Sequence, residues 1–151
     1  MSDTDPFEVF RPRRGRLVAT GLAVAVIVVF TFIGMFIPDN TVMQWGAGDR
    51  FFLASIGWVL AAVFWRYATI RAVPTREDLL VRNLFLTRRL PWAHIVGMQF
   101  GHGMPWPTLE LSDTDTVAVM GIQRADGPRS VAEASRLAAL IQALGEASEQ
   151  S

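Results

Sequence analysis

Residues 17–37 carry no charge. The run LVATGLAVAVIVVFTFIGMFI is 21 residues long, and at about 1.5 Å per residue a helix of that length spans about 31 Å, close to the thickness of a hydrocarbon core. It shows none of the polar stripe that marks a helix on the surface of a soluble globule. It is too long for the apolar stretch of a cleaved signal peptide, and it ends in the bulky Phe36 and Ile37. Pro38, Asp39 and Asn40 stop it. A second apolar run, FFLASIGWVLAAVFW, covers residues 51–65. It reaches crossing length if Arg66 snorkels and the helix continues to Ile70. The pattern predicts a hairpin of transmembrane helices at 17–37 and 51–70, joined by a short loop, 38–50. Trp45, Trp65 and Tyr67 are placed as aromatic interface anchors, with Arg16 and Arg66 as charged ones. Small residues on both helices (Ala19, Ala23, Ala54, Gly57, Ala61) suit close backbone approach.

After Arg71 the texture changes. Apolar runs shorten, and turn residues recur about every ten positions, the pattern of antiparallel strands. Strands are predicted at 67–73, 79–85, 86–90, 95–100, 108–112 and 116–122. In the fifth, Leu109 and Leu111 alternate with polar neighbours and face inward. Ser130 with Glu133 reads as a capping box. Val131, Ala134, Leu137, Ile141 and Leu144 then form one apolar face of a helix, with Gly145 as its stop and 146–151 as a polar tail. A single helix with one apolar face needs the sheet system as its partner. The expected fold is therefore a membrane α-helical hairpin followed by a small α+β domain (71–145), a bent antiparallel barrel or pair of sheets capped by the C-terminal helix. Residues 1–16 read as an N-terminal tail, polar and disordered over 1–10.

Charge gives the hairpin an orientation. The chain is neutral overall, but Arg11, Arg13, Arg14 and Arg16 precede the first crossing and Arg66, Arg71 and Arg76 follow the second, against Arg50 alone in the loop. By the positive-inside rule both termini are cytoplasmic and the loop is outside, in a multi-pass cell-membrane protein. The segment 66–90 carries a net +4 and 91–151 a net −4.

Composition removes several kinds of chemistry. There is no cysteine and no lysine, and all fourteen basic residues are arginine. Disulfides, thiol catalysis, Cys-ligated zinc, lysine Schiff bases and a P-loop lysine are excluded. No nucleophile elbow or dinucleotide fingerprint is present. His94 and His102 have no orienting acid that the sequence identifies. Asp113 with Asp115, and Asp126 with Gly127, read as turns. The expectation is a non-enzyme with no catalytic, cofactor or metal residues.

Four motifs carry a resemblance: Arg82-Asn83-Leu84; Leu90-Pro91-Trp92 with Ile95; Trp106-Pro107 before a Leu-x-Leu strand; and Gln123-Arg124-Ala125-Asp126-Gly127. With the preceding hairpin they resemble the bacterial pleckstrin-homology-like (PH-like) family of actinobacterial membrane proteins, which includes the low molecular weight protein antigen 6 group. The resemblance implies two orthogonal sheets closed by a C-terminal helix and no established ligand. PH domains that bind inositides use basic residues in the first strand–loop–strand. Here only Arg71, Arg76 and Arg82 correspond, with Glu77 and Asp78 in the same loop.

The expected function is a membrane-anchored interaction module that binds a protein or peptide, or lipid headgroups. The alternative is an accessory or scaffolding subunit of a larger membrane complex of the cell envelope or of transport. Arg82, Arg88 and Arg89 are the candidate headgroup contacts, since each arginine near an anionic surface gains about 1 kcal/mol. Trp106, between two prolines, is the candidate partner contact, whereas Trp92 is expected to pack over one end of the barrel. The basic surface is too small for nucleic acid.

Overall fold

Two uninterrupted apolar stretches become helices wherever no proline or glycine pair intervenes. In the computed structural model, which describes residues 5–38 and 44–149, they are α1 (Arg13–Phe36) and α2 (Ala47–Ala68). Asp39 and Asn40, expected to stop the first run, lie outside the described residues, but Pro38 forces Ile37 out of helical geometry. The first turn of α2 is closed by Asp49, whose carboxylate accepts the Gly46 backbone N–H at 3.0 Å, half of a capping box. Arg50 reaches back from α2 to the last carbonyls of α1, donating to Met35 O at 3.3 Å and Gly34 O at 3.4 Å. A cation there satisfies orphan acceptors and meets the negative end of the helix dipole.

The buried positions of these helices are all small: Ala19, Ala23 and Gly34 in α1, Gly57, Ala61 and Ala68 in α2. At Gly57 a Cβ would lie 2.5 Å from Phe30 Cβ and 2.9 Å from Val26 O, so only glycine lets the backbones approach this closely. The large apolar side chains point the other way. Leu17, Phe32, Met35, Phe51, Phe52, Trp58 and Trp65 are all more than half exposed. Arg16–Ala68 forms one compact unit; residues 5–15 and 69–149 belong to the other.

In that second unit the alternating segments form two three-stranded antiparallel sheets. The first is β1 (Arg71–Pro74), β2 (Asp78–Arg82) and β3 (Thr87–Pro91), in that order. The second is β4 (Ile95–Gln99), β5 (Thr108–Leu111) and β6 (Thr116–Ala118), with an irregularity between Ile95 and Gly97. α3 (Pro128–Glu149) packs on β4 and on the 3-10 turn Trp92–His94. Leu79, Val81 and Leu90 from the first sheet meet Leu109, Leu111 and Val117 from the second, with Val119, Ile122, Leu137, Leu140 and Trp92, in one core. The Trp92 ring is fully buried and donates its indole N–H to Thr75 O at 3.0 Å. That is the expected end-plug, with its polar atom satisfied.

Five expectations need correction. Residues 5–10 are not a loose tail. Phe10 is fully buried in the core and exchanges two backbone hydrogen bonds with Ala72, both 2.9 Å. A Cβ at Gly121 would lie 2.9 Å from both Phe10 O and Ala72 N, so the chain passes over a bare glycine there. Tyr67 lies in α2 rather than in the first strand, which starts at Arg71. Ser130 is not an N-cap, because α3 starts at Pro128, just after Gly127 with φ of 66°. Proline suits the first helical position, and its fixed φ overrides the capping-box signal. Gly145 does not stop α3, which runs on to Glu149, and Val131 is 58% exposed, the inward face being Ala134, Leu137, Leu140, Ile141 and Leu144.

Candidate functional site

Strand alternation decides which arginines can act together. In β2 the burial alternates, with Leu79 and Val81 inward and Asp78, Leu80 and Arg82 outward. Directly paired residues of an antiparallel ladder share a face. Arg89 pairs with Leu80 and therefore lies on the outer face with Arg82, whereas Arg88 pairs with Val81 and lies on the opposite face. Arg88 is engaged there by Asp115 of the β5–β6 turn at 3.2 Å, an ion pair that ties one sheet to the other. Arg82, Arg88 and Arg89 are therefore not one patch. Arg89 leans toward Asp78 at 3.5 Å.

The pairing brings a further arginine onto the outer face. Arg71 sits directly opposite Arg82 across β1 and β2. Like charges in directly opposed positions are unfavourable unless something offsets them, and among the described residues neither forms an ion pair. The Arg71 Nε is buried and unbonded. Two guanidinium groups on one face can donate together to an anion such as phosphate. The hint in the sequence was the short hairpin turn after Pro74, which fixes the register.

Other groups around the domain hold structure. Arg124 clamps the Gly/Pro-rich loop, donating to Met104 O at 2.8 Å and to Gly101 O, with its guanidinium 4.7 Å from the Phe100 ring centroid. Trp106 lies in that same loop, between β4 and β5, and is half-buried. Asp113 accepts the Asp115 N–H at 3.1 Å and Thr114 has φ of 69°, so this pair builds a turn. Asp126 accepts the backbone N–H groups of Arg13 and Arg14, both at 3.0 Å. Arg136 lies 3.9 Å from the Phe10 ring centroid and donates to Pro6 O and Glu8 O at 2.9 and 2.8 Å.

A cavity of about 290 Å³ beside this strap is lined by Glu8, Arg129, Ala132, Glu133 and Arg136. Glu133 pairs with Arg129 at 2.8 Å, with only 8% of its side chain exposed. Burial pushes its carboxyl above the ordinary value, with Arg129 pulling the other way, and burial likewise lowers Arg136. Among the described residues no cluster of three His, Asp or Glu side chains is placed to hold a metal ion. Of the interface anchors, Arg16, Trp45, Trp65, Arg66 and Tyr67 all belong to the helical unit, with Trp65 63% exposed.

Two antiparallel sheets closed by a C-terminal helix define the PH-like class. The Bacterial PH domain family profile matches residues 69–139. The chain is 28% identical over 134 residues to the uncharacterized protein Mb1452 of Mycobacterium bovis, covering 88% of this chain and 87% of that protein. The same figures hold for the uncharacterized protein Rv1417 of Mycobacterium tuberculosis. No solved structure gives a significant match. Residues 69–139 therefore match a bacterial PH domain, in a chain similar to these mycobacterial proteins.

Proposed function

We propose that the protein is a membrane-tethered, non-enzymatic interaction module. A two-helix anchor holds the PH-like domain at the cytoplasmic face of the cell membrane, where it engages anionic headgroups or a protein or peptide partner. The observation that carries this reading is the inverted burial of α1 and α2. Their most apolar 18-residue stretches have mean hydropathies of 2.6 and 1.5, yet only 17% and 11% of those stretches are buried. Core helices of soluble proteins hide such surfaces; these helices spend small residues on close packing and turn Phe, Trp, Leu and Val outward.

The strap supports the topology. Phe10, before α1, and Ala72, after α2, are hydrogen-bonded within one folded unit. Both must lie on the same side of any membrane, so the chain between them crosses an even number of times. The arginine bias then puts that side in the cytoplasm. Tethering keeps the domain at high effective concentration near the bilayer, so weak contacts there are occupied. The outer-face Arg71 and Arg82 are the headgroup candidates, in place of an Arg82–Arg88–Arg89 trio, with Trp106 as the partner contact.

Alkaline carbonate extraction of cell membranes tests the anchor. The chain is expected in the pellet, and release into the supernatant would refute it. Purification in mild detergent separates the module from the alternative. A stoichiometric partner that stays bound after residues 72–151 are removed would make the hairpin an assembly subunit instead.

A further inference from the structure

The turn between β2 and β3 breaks the usual rule for turn composition. Tight turns favour Gly, Asn, Asp, Pro and Ser. Here the tip is Leu84-Phe85-Leu86, with Phe85 91% and Leu86 44% exposed. The tip is not loose. Asn83 is buried at its base, donating its side-chain amide to Ala118 O at 2.7 Å and accepting the Met120 N–H at 3.2 Å. Its backbone N–H closes the turn on Leu86 O at 2.7 Å. A buried anchor thus holds an aromatic ring out into solvent, against the hydrophobic cost of leaving it there.

Connectivity says what this ring meets. Arg71, the first residue of β1, is paired with Arg82, the last residue of β2. The tip therefore stands at the end of the first sheet where the chain enters it. Only Thr69 and Ile70 separate that point from the end of α2. Arg71 and Arg82, without ion pairs among the described residues, stand directly behind the tip. An apolar point backed by cations is the composition of an interfacial membrane contact, with rings among the acyl chains and guanidiniums at anionic headgroups.

We infer that the Leu84-Phe85-Leu86 tip is a second membrane contact, a wedge that inserts into the interface of an anionic phospholipid leaflet and fixes the PH-like domain against it. The inference rests on the tethered reading above and goes beyond it, since a tether alone leaves the domain free to rotate.

The absence of cysteine makes the test clean. Single-cysteine variants of the full chain carry an environment-sensitive fluorophore in nanodiscs of phosphatidylcholine with phosphatidylglycerol, and brominated lipids quench any dye that enters the bilayer. The positions are Leu86→Cys at the tip, Thr114→Cys in the β5–β6 turn and Val28→Cys in α1. Quenching is expected at positions 86 and 28 and not at 114. Adding Phe85→Ser to Leu86→Cys should lower the docked-to-undocked ratio about ten-fold, the effect of re-exposing a large apolar side chain. Arg82→Gln should weaken quenching only in the anionic nanodiscs.

Quenching at 28 without quenching at 86 overturns the wedge and leaves the tether standing. No quenching at 28 overturns the tether itself. Equal quenching at 86 and 114 overturns the assignment of the wedge to this tip. A blue shift at 86 that grows with the number of chains per disc and ignores brominated lipid would assign the tip to self-association, and so also overturns it.

Discussion

Replacing Phe10 by alanine tests whether the segment ahead of the hairpin is part of the domain that follows it. The ring is fully buried among core residues of both sheets and α3. Deleting a buried phenylalanine side chain costs about 3–5 kcal/mol, because lost transfer energy and a residual cavity add. The Arg136 guanidinium, 3.9 Å from the ring centroid, loses a cation–π contact of about 1 kcal/mol as well. Whole domains are stable by only about 5–15 kcal/mol, so Phe10→Ala should leave the fold marginal. Hydrogen exchange of the full chain in nanodiscs reads this directly, because the Ala72 amide is bonded to Phe10 O at 2.9 Å. A loss of about 4 kcal/mol corresponds to about thousand-fold faster exchange of the most protected amides of β1 and β2. Phe10→Leu, which keeps most of the volume, should cost less than about 1.5 kcal/mol, or about ten-fold. Exchange in Phe10→Ala within about three-fold of the parent would refute the argument, since no core residue of this size can be removed so cheaply.

Three further outcomes follow from the same geometry. Arg136→Met removes the donors to Pro6 O and Glu8 O and should cost about 2–3 kcal/mol in domain stability, with Arg136→Lys only a partial rescue; unchanged protection at Ala72 would contradict this. Gly57→Val forces a Cβ into Phe30, 2.5 Å away, and should lower the detergent melting temperature of the full chain, whereas Gly21→Val, with nothing near its Cβ, should not. Burial raises the Glu133 carboxyl, so the folded state holds its proton more tightly than the unfolded chain does. Its contribution is fully present below the ordinary carboxylate value and is lost as pH climbs through the raised one. Glu133→Gln should flatten that decline in urea midpoints above the ordinary carboxylate range, and a profile parallel to the parent's would show that the group does not titrate as argued.

Much of the architecture was readable because it rests on local pattern. An uncharged run of 21 residues, strands with period-2 alternation and a helix with one apolar face announce themselves in any short window. What escaped depends on partners far apart in the chain. Phe10 sits in a charged, proline-flanked stretch, and its neighbours Ala72, Gly121 and Arg136 lie 62 or more positions away. The start of α3 was misplaced because Ser130 and Glu133 satisfy a spacing rule, while Gly127-Pro128 satisfies a stronger geometric one. The division of the basic trio between two faces follows from a rule the sequence does carry. Adjacent strand positions face opposite sides, so Arg88 and Arg89 leave β3 on different faces. The register sets Arg71 directly opposite Arg82, and Phe85 reads as strand until the turn places it at a tip.

Impermeant thiol labelling of single-cysteine variants in intact cells tests the central claim most directly, the full chain supplying no cysteine of its own. Gln44→Cys, between the helices, should react from outside, and Thr114→Cys, in the domain, only after the membrane is opened. Reaction of both sites from the same side, or of Thr114→Cys in unbroken cells, would contradict a two-helix anchor with the domain inside.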